Sequence, residues 1–149
     1  MAEHDDAWWQ EYLGVDPALW VCEPRGTGMP GLLLLHQFGA VVFEAFETYP
    51  WLVGSALTAR TPHDIDVRLV LTGKDYERWC GGYGEAHPGT PWASLSLAYS
   101  ALARQTTGLP VDFQIQRMTD ANREHSDDER QPLGMFHDMR PHEPYPGGG

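Results

Sequence analysis

Two short segments constrain this chain more than any others. Residues 64–71, Asp-Ile-Asp-Val-Arg-Leu-Val-Leu, alternate at their start and become apolar towards their end. That pattern reads as a β-strand buried on at least one face. Val111 to Ile115 alternates throughout, with Val111, Phe113 and Ile115 on one face and Asp112 and Gln114 on the other. A chain carrying two such strands has to build a sheet and cover one side of it.

The cover comes from helical segments. Between Gly31 and Tyr49 the residues Leu35, Phe38, Val42, Phe46 and Tyr49 recur at spacings of three and four, which is one face of a helix. Pro50 stops it, because the residue before a proline is pushed out of the helical region. Trp51 to Val53 reads as a short strand ending at Gly54-Ser55, and Ala56 to His63 as a loop. Asp75 to Trp79 reads as a helical turn, and the glycines and prolines of 81–91 as a second loop. Over 92–106, Leu95, Ala98, Tyr99, Leu102 and Thr106 return at helical spacing, and Gly108 sits where a helix C-terminus favours a left-handed residue. Helices and strands alternate, so the expected class is α/β or α+β, a small mixed sheet flanked by helices. Residues 31–118 form the expected core. Residues 1–30 read as an N-terminal segment with a short strand at Leu19 to Cys22, and 119–149 as a polar, flexible extension.

Composition narrows the partners. A length of 149 residues suits one domain. The net charge of −11 repels a polyanion, which disfavours extended nucleic acid but not a small nucleotide arriving with Mg²⁺. No apolar run approaches the roughly 18 residues of a membrane span, and the first six residues lack the basic segment of a secretory signal. The expectation is a cytoplasmic protein with no membrane partner. Cys22 and Cys80 match no zinc spacing and read as reduced structural thiols.

Asp64 and Asp66 lie two apart in the first strand, so their side chains share a face. Like charges held that close call for a proton or a cation, and a hard, oxygen-seeking ion such as Mg²⁺ or Mn²⁺ is the natural one. If the 111–115 strand lies alongside, Asp112 joins them. Three carboxylates can hold two divalent ions about 3.5–4 Å apart, the arrangement used for in-line attack on phosphate. Gly54-Ser55 adds a turn in which backbone amides and a hydroxyl are free to receive phosphate oxygens.

In this order and spacing, "LVGSALTARTPHDIDVRLVL" resembles the signature of the polymerase-β-like nucleotidyltransferases, and "TGLPVDFQI" resembles the segment bearing their third carboxylate. The likeness spans roughly residues 35–116 and is best to the small, single-domain members. It implies that Gly54 and Ser55 contact nucleotide phosphates, that Asp64 and Asp66 ligate metal, and that Asp112 completes the second metal site and helps deprotonate the attacking hydroxyl. The implied reaction moves a nucleoside monophosphate from a nucleoside triphosphate, with ATP the expected donor, to a hydroxyl on a protein, a small molecule or an RNA end. A partner protein is one candidate acceptor. The linker 56–63 is shorter than usual for the family, and Thr61 follows Ala59-Arg60 where glycine is common. These departures keep open an alternative: an inactive binding protein on the same fold.

Plainer readings stand beside each of these. Arg60 and Lys74 flank the segment and could meet triphosphate, although a solvated charge is the commoner state for each. Arg68 shares the carboxylate face, and neutralising the acids structurally is its favoured role; a standing Arg–Asp pair would weaken the case for metal. His36 reads as a satisfied core histidine and His63 as a loop residue beside the pocket. Trp79 and Tyr83 could stack on a base, but burial is the commoner fate of tryptophan.

Overall fold

A computed structural model describes residues 26–81, 90–125 and 128–135. The strand expected at Leu19 to Cys22 and the candidate stacking residue Tyr83 lie outside the described residues. Helix α1 spans Gly31–Phe46 and buries Leu35, Phe38, Val42 and Phe46, the residues of the three–four repeat. It ends before Tyr49, at a left-handed Glu47 whose N–H reaches the Phe43 carbonyl at 2.7 Å. Tyr49 instead folds back to stack on Phe43, with ring centroids 4.2 Å apart. Strand β1 is Trp51–Val53, followed by a 3₁₀ turn at Gly54–Leu57. Strand β2 is Ile65–Leu71, and helix α2 is Gly73–Cys80, capped by the Thr72 hydroxyl accepting from the Asp75 N–H at 3.3 Å. Helix α3 runs Pro91–Thr107, with its proline at the first turn where no N–H is needed. Strand β3 is Val111–Arg117, and helix α4 is Met118–His125. Strand β4 is Gln131–Pro132. The described structure is therefore a mixed α/β fold. It continues past 118, since α4 and β4 fall in the stretch whose composition suggests an extension.

The sheet order is β3-β2-β1-β4. β1 is antiparallel to both β2 and β4, while β2 and β3 are parallel. Alternation along the strands splits the sheet into two faces. On one, Leu52, Val67 and Phe113 stand in register, fully buried in a core with Leu35, Phe38 and Val42 of α1. On the other, Val53, Asp66 and Asp112 share one level and Trp51, Arg68 and Gln114 the next.

β3 is an outer strand, and α3 satisfies its free edge with side chains. The Trp92 indole N–H donates to the Ile115 carbonyl at 2.8 Å, and Arg104 Nε to the Val111 carbonyl at 2.9 Å. Between them, the Ser100 hydroxyl accepts from the Phe113 N–H at 2.9 Å and donates to the Phe113 carbonyl at 3.1 Å. Backbone groups that would otherwise template another strand are thus occupied. Ser100→Ala leaves the buried Phe113 amide without this partner and is expected to cost about 1–3 kcal/mol, read as a lower urea midpoint.

At the other side of the sheet, residues 133–134 press onto α1. A Cβ at Gly39 would lie 2.4 Å from both the carbonyl carbon and the oxygen of Leu133. Here the buried His36 is a satisfied core histidine, its Nδ1 accepting the Gly134 N–H at 3.1 Å. Backbone meets backbone, so no flexible side chain can yield. Gly39→Ala should destabilise by about 1–3 kcal/mol through overpacking, measured in the same urea titration.

Candidate functional site

The open face of the sheet gathers the polar members of three strands. Parallel pairing sets Asp66 directly opposite Asp112, and antiparallel pairing sets Val53, one residue before Gly54, opposite Asp66 from the other side. Two of the three expected carboxylates and the Gly-Ser turn therefore meet at one end of the sheet. Asp64 lies just before β2, rather than within it, and is exposed. Ser55 is exposed in the 3₁₀ turn, and Arg60 is exposed in the loop between that turn and β2. Lys74 is not brought to this end. It follows β2, whose far end at Leu71 lies five residues beyond Asp66, or roughly 17 Å along an extended chain. Trp79 is also elsewhere, packed on Phe46 with ring centroids 4.8 Å apart.

Gly54 makes the approach possible. Its φ of 76° is a conformation that side chains rarely adopt, and a Cβ there would sit 2.6 Å from Asp66 Oδ2. That oxygen therefore faces the Gly54 turn. The other, Oδ1, lies 3.5 Å from Arg68 Nη2.

Arg68 is the dominant local charge. Its Nη1 donates to the Asp112 main-chain carbonyl at 2.8 Å, and its Nη2 lies 3.4 Å from Asp112 Oδ2. Gln114 Nε2 donates to the same oxygen at 3.4 Å. The guanidinium stands between two carboxylates and provides the positive charge their proximity demands. Burial nevertheless raises the Asp66 pKa above its ordinary 3.8; Arg68 opposes the rise, while Asp112 and Asp64 add to it. The donor chemistry, carboxylate oxygen alone, suits a hard divalent ion. Among the described residues, no three acidic, histidine or cysteine side chains converge as a ready metal cage.

A cavity of about 250 Å³ opens beside these groups on the same face. Trp51, Val70, Gln114 and Gln116 from the sheet line it, with Ala121 of α4 and Arg130 ahead of β4 closing over them. Arg130 is buried, its guanidinium 5.7 Å over the Trp51 ring. Burial lowers its pKa, and Asp128 counters the effect. Sequence reasoning placed Gln114 on the Asp112 face, but it did not single out Gln116, Trp51 or Arg130. Extending the alternation past Ile115 would have found Gln116. Nothing in the acid-rich run around Arg130 signals that it folds back over the sheet.

No family model, curated protein or solved structure matches the chain. No described helix is long and apolar enough to cross a membrane.

Because the folded pKa of Asp66 is raised, the native state binds more protons than the unfolded chain just above pH 3.8. Stability from this group is therefore highest below that pH and declines as pH rises through the folded value. Asp66→Asn removes the charged form and should raise the thermal midpoint at pH 7. The gain should shrink as pH falls towards 3.8, a trend followed by melting curves across that range.

Proposed function

We propose that the open face of this sheet is a metal-dependent nucleotidyl-transfer site of the polymerase-β-like kind. The observation that carries the reading is the register that sets Asp66 opposite Asp112 while Gly54 packs against the Asp66 carboxylate. An ordinary strand-ending turn has no need to lie against a half-buried acid. The motif order noted in the sequence then becomes a spatial one: turn, acid, acid, side by side.

In this reading the Gly54 and Ser55 amides and the Ser55 hydroxyl orient the triphosphate. Asp64, the Gly54-facing oxygen of Asp66, and Asp112 are the groups that would hold divalent cations. When bound, such ions supply charge neutralisation for the triphosphate. The acceptor hydroxyl oxygen forms a bond to the α-phosphorus, and the bond from that phosphorus to the bridging oxygen breaks. Pyrophosphate leaves with the electron pair, and Asp112 takes the hydroxyl proton. Arg68, bonded to Asp112 and paired with Asp66, would hold the two carboxylates in place beside any cation they took.

One observation favours a second reading. Arg68 already compensates Asp66 and Asp112, which suits a domain that retains the fold as a binding module without turnover.

Thermal melting with Mg²⁺ and each of the four ribonucleoside triphosphates tests the site. A ligand specific to the folded state adds about 2.7 kcal/mol at a hundredfold excess over its Kd. The expected result is a rise that requires metal and nucleotide together and disappears in Asp64→Ala/Asp66→Ala. A rise with nucleotide alone, undiminished in the double variant, would point to the binding module. Absence of any rise with all four triphosphates would sink the transfer reading and leave the binding module.

A further inference from the structure

Resting on that reading, we infer that the cavity over the sheet is the nucleobase subsite, with the Gln116 side-chain amide reading an adenine edge. Its size comes first. About 250 Å³ is smaller than the roughly 300–1,000 Å³ of pockets that enclose drug-sized ligands. That volume takes a single planar ring system, the rest of a nucleotide extending along the open face towards Gly54.

Charge comes next. Two guanidiniums line the cavity, yet each already faces an acid: Arg68 faces Asp66 and Asp112, and Arg130 is offset by Asp128. The cavity therefore offers little net positive charge to a phosphate. Apart from these two arginines and the acids Asp66 and Asp128 that share the lining with them, the cavity is walled by apolar Trp51, Val70 and Ala121 and by the two glutamine amides. That combination suits a neutral heteroaromatic ring. Gln114 is committed to Asp112. The half-buried side-chain amide of Gln116 has no hydrogen-bond partner among the described residues. It presents one acceptor and two donors, the set with which glutamine pairs to the amino group and N7 of adenine.

Position agrees with both points. Along β3 the face runs Asp112, Gln114, Gln116, and each step of two residues advances about 7 Å. The reacting end of a nucleotide at Asp112 and Gly54 leaves the sugar over the Gln114 level and the base at Gln116. Gly54 borders the same cavity, so the path between turn and cavity is continuous.

The test compares Mg²⁺–ATP, the other three Mg²⁺–ribonucleoside triphosphates and Mg²⁺–tripolyphosphate, which has no base, against wild type, Gln116→Leu and Ala121→Phe. Dissociation constants come from calorimetry, and ligand-free urea midpoints verify that each variant folds. Ala121→Phe fills the cavity from α4 and keeps the test decisive if Gln116→Leu fails to fold. The expected result is that wild type binds ATP more tightly than the other nucleotides and than tripolyphosphate. Gln116→Leu should weaken ATP by roughly tenfold and leave tripolyphosphate unchanged. Equal affinity for ATP and tripolyphosphate, unmoved by either variant, overturns the base subsite while the phosphate site stands. Tighter binding of another base overturns the adenine assignment. Loss of binding to every triphosphate, tripolyphosphate included, overturns the transfer reading and this inference with it.

Discussion

The parallel pairing of β2 with β3 makes residues at equal height share a face, and the open side of this molecule follows from that. Ile65, Val67 and Leu69 meet Val111, Phe113 and Ile115, so the apolar partners point together into the core. The residues between them have to point the other way. Asp66 meets Asp112, Arg68 meets Gln114, and Val70 meets Gln116. A slip of one residue would bury the acids under the helices. Arg68 reinforces the correct register by reaching across to the main-chain carbonyl of Asp112 as well as to its carboxylate.

That arrangement is not the most stable one the fold could adopt. Half-burying Asp66 beside Asp112 and near Asp64 raises the free energy of its charged form, and Arg68 recovers only part of the loss. Gly54 is held at positive φ where a residue with a side chain would strain and would strike the same carboxylate. Local conflicts with stability that cluster in this way are what single this face out as the candidate site. On the opposite face the same strands are packed by apolar side chains as far as Leu71, opposite which Arg117 lies over the Tyr76 ring, and the edge of β3 is satisfied almost group by group from α3.

Much of this was legible in the sequence because periodicity is local. The three–four repeat of Leu35, Phe38, Val42 and Phe46 marked α1, and the alternation of Val111, Phe113 and Ile115 marked β3. Gly108 ended α3 with φ 72°, as its position suggested. The elements the sequence did not reveal are those whose stability is tertiary. α4 and β4 lie in an acid-rich stretch with few apolar positions, and they pack against the sheet, β4 pairing with β1 and Ala121 of α4 lying buried over the open face. The candidate site divides the same way. Asp66, Asp112 and Gly54 could be read from spacing. Lys74 is a candidate on its charge alone, although the strand read over 64–71 already carries it to the far end of the sheet from Asp66. The cavity was invisible because its roof comes from Ala121 and Arg130, remote in sequence from Trp51 beneath them.

The hydrogen bond from Gly134 to His36 spans 98 positions of sequence. Contacts that close so long a loop are entropically expensive and come late in folding. On a ribosome, α1, β1 and β2 leave the tunnel well before the segment that lies over them. The strands that carry Asp66 and Asp112 end at residue 117, whereas Arg130, which closes the cavity over them, comes from the segment that ends on α1, so the charged floor and the cavity above it belong to different stretches of the chain.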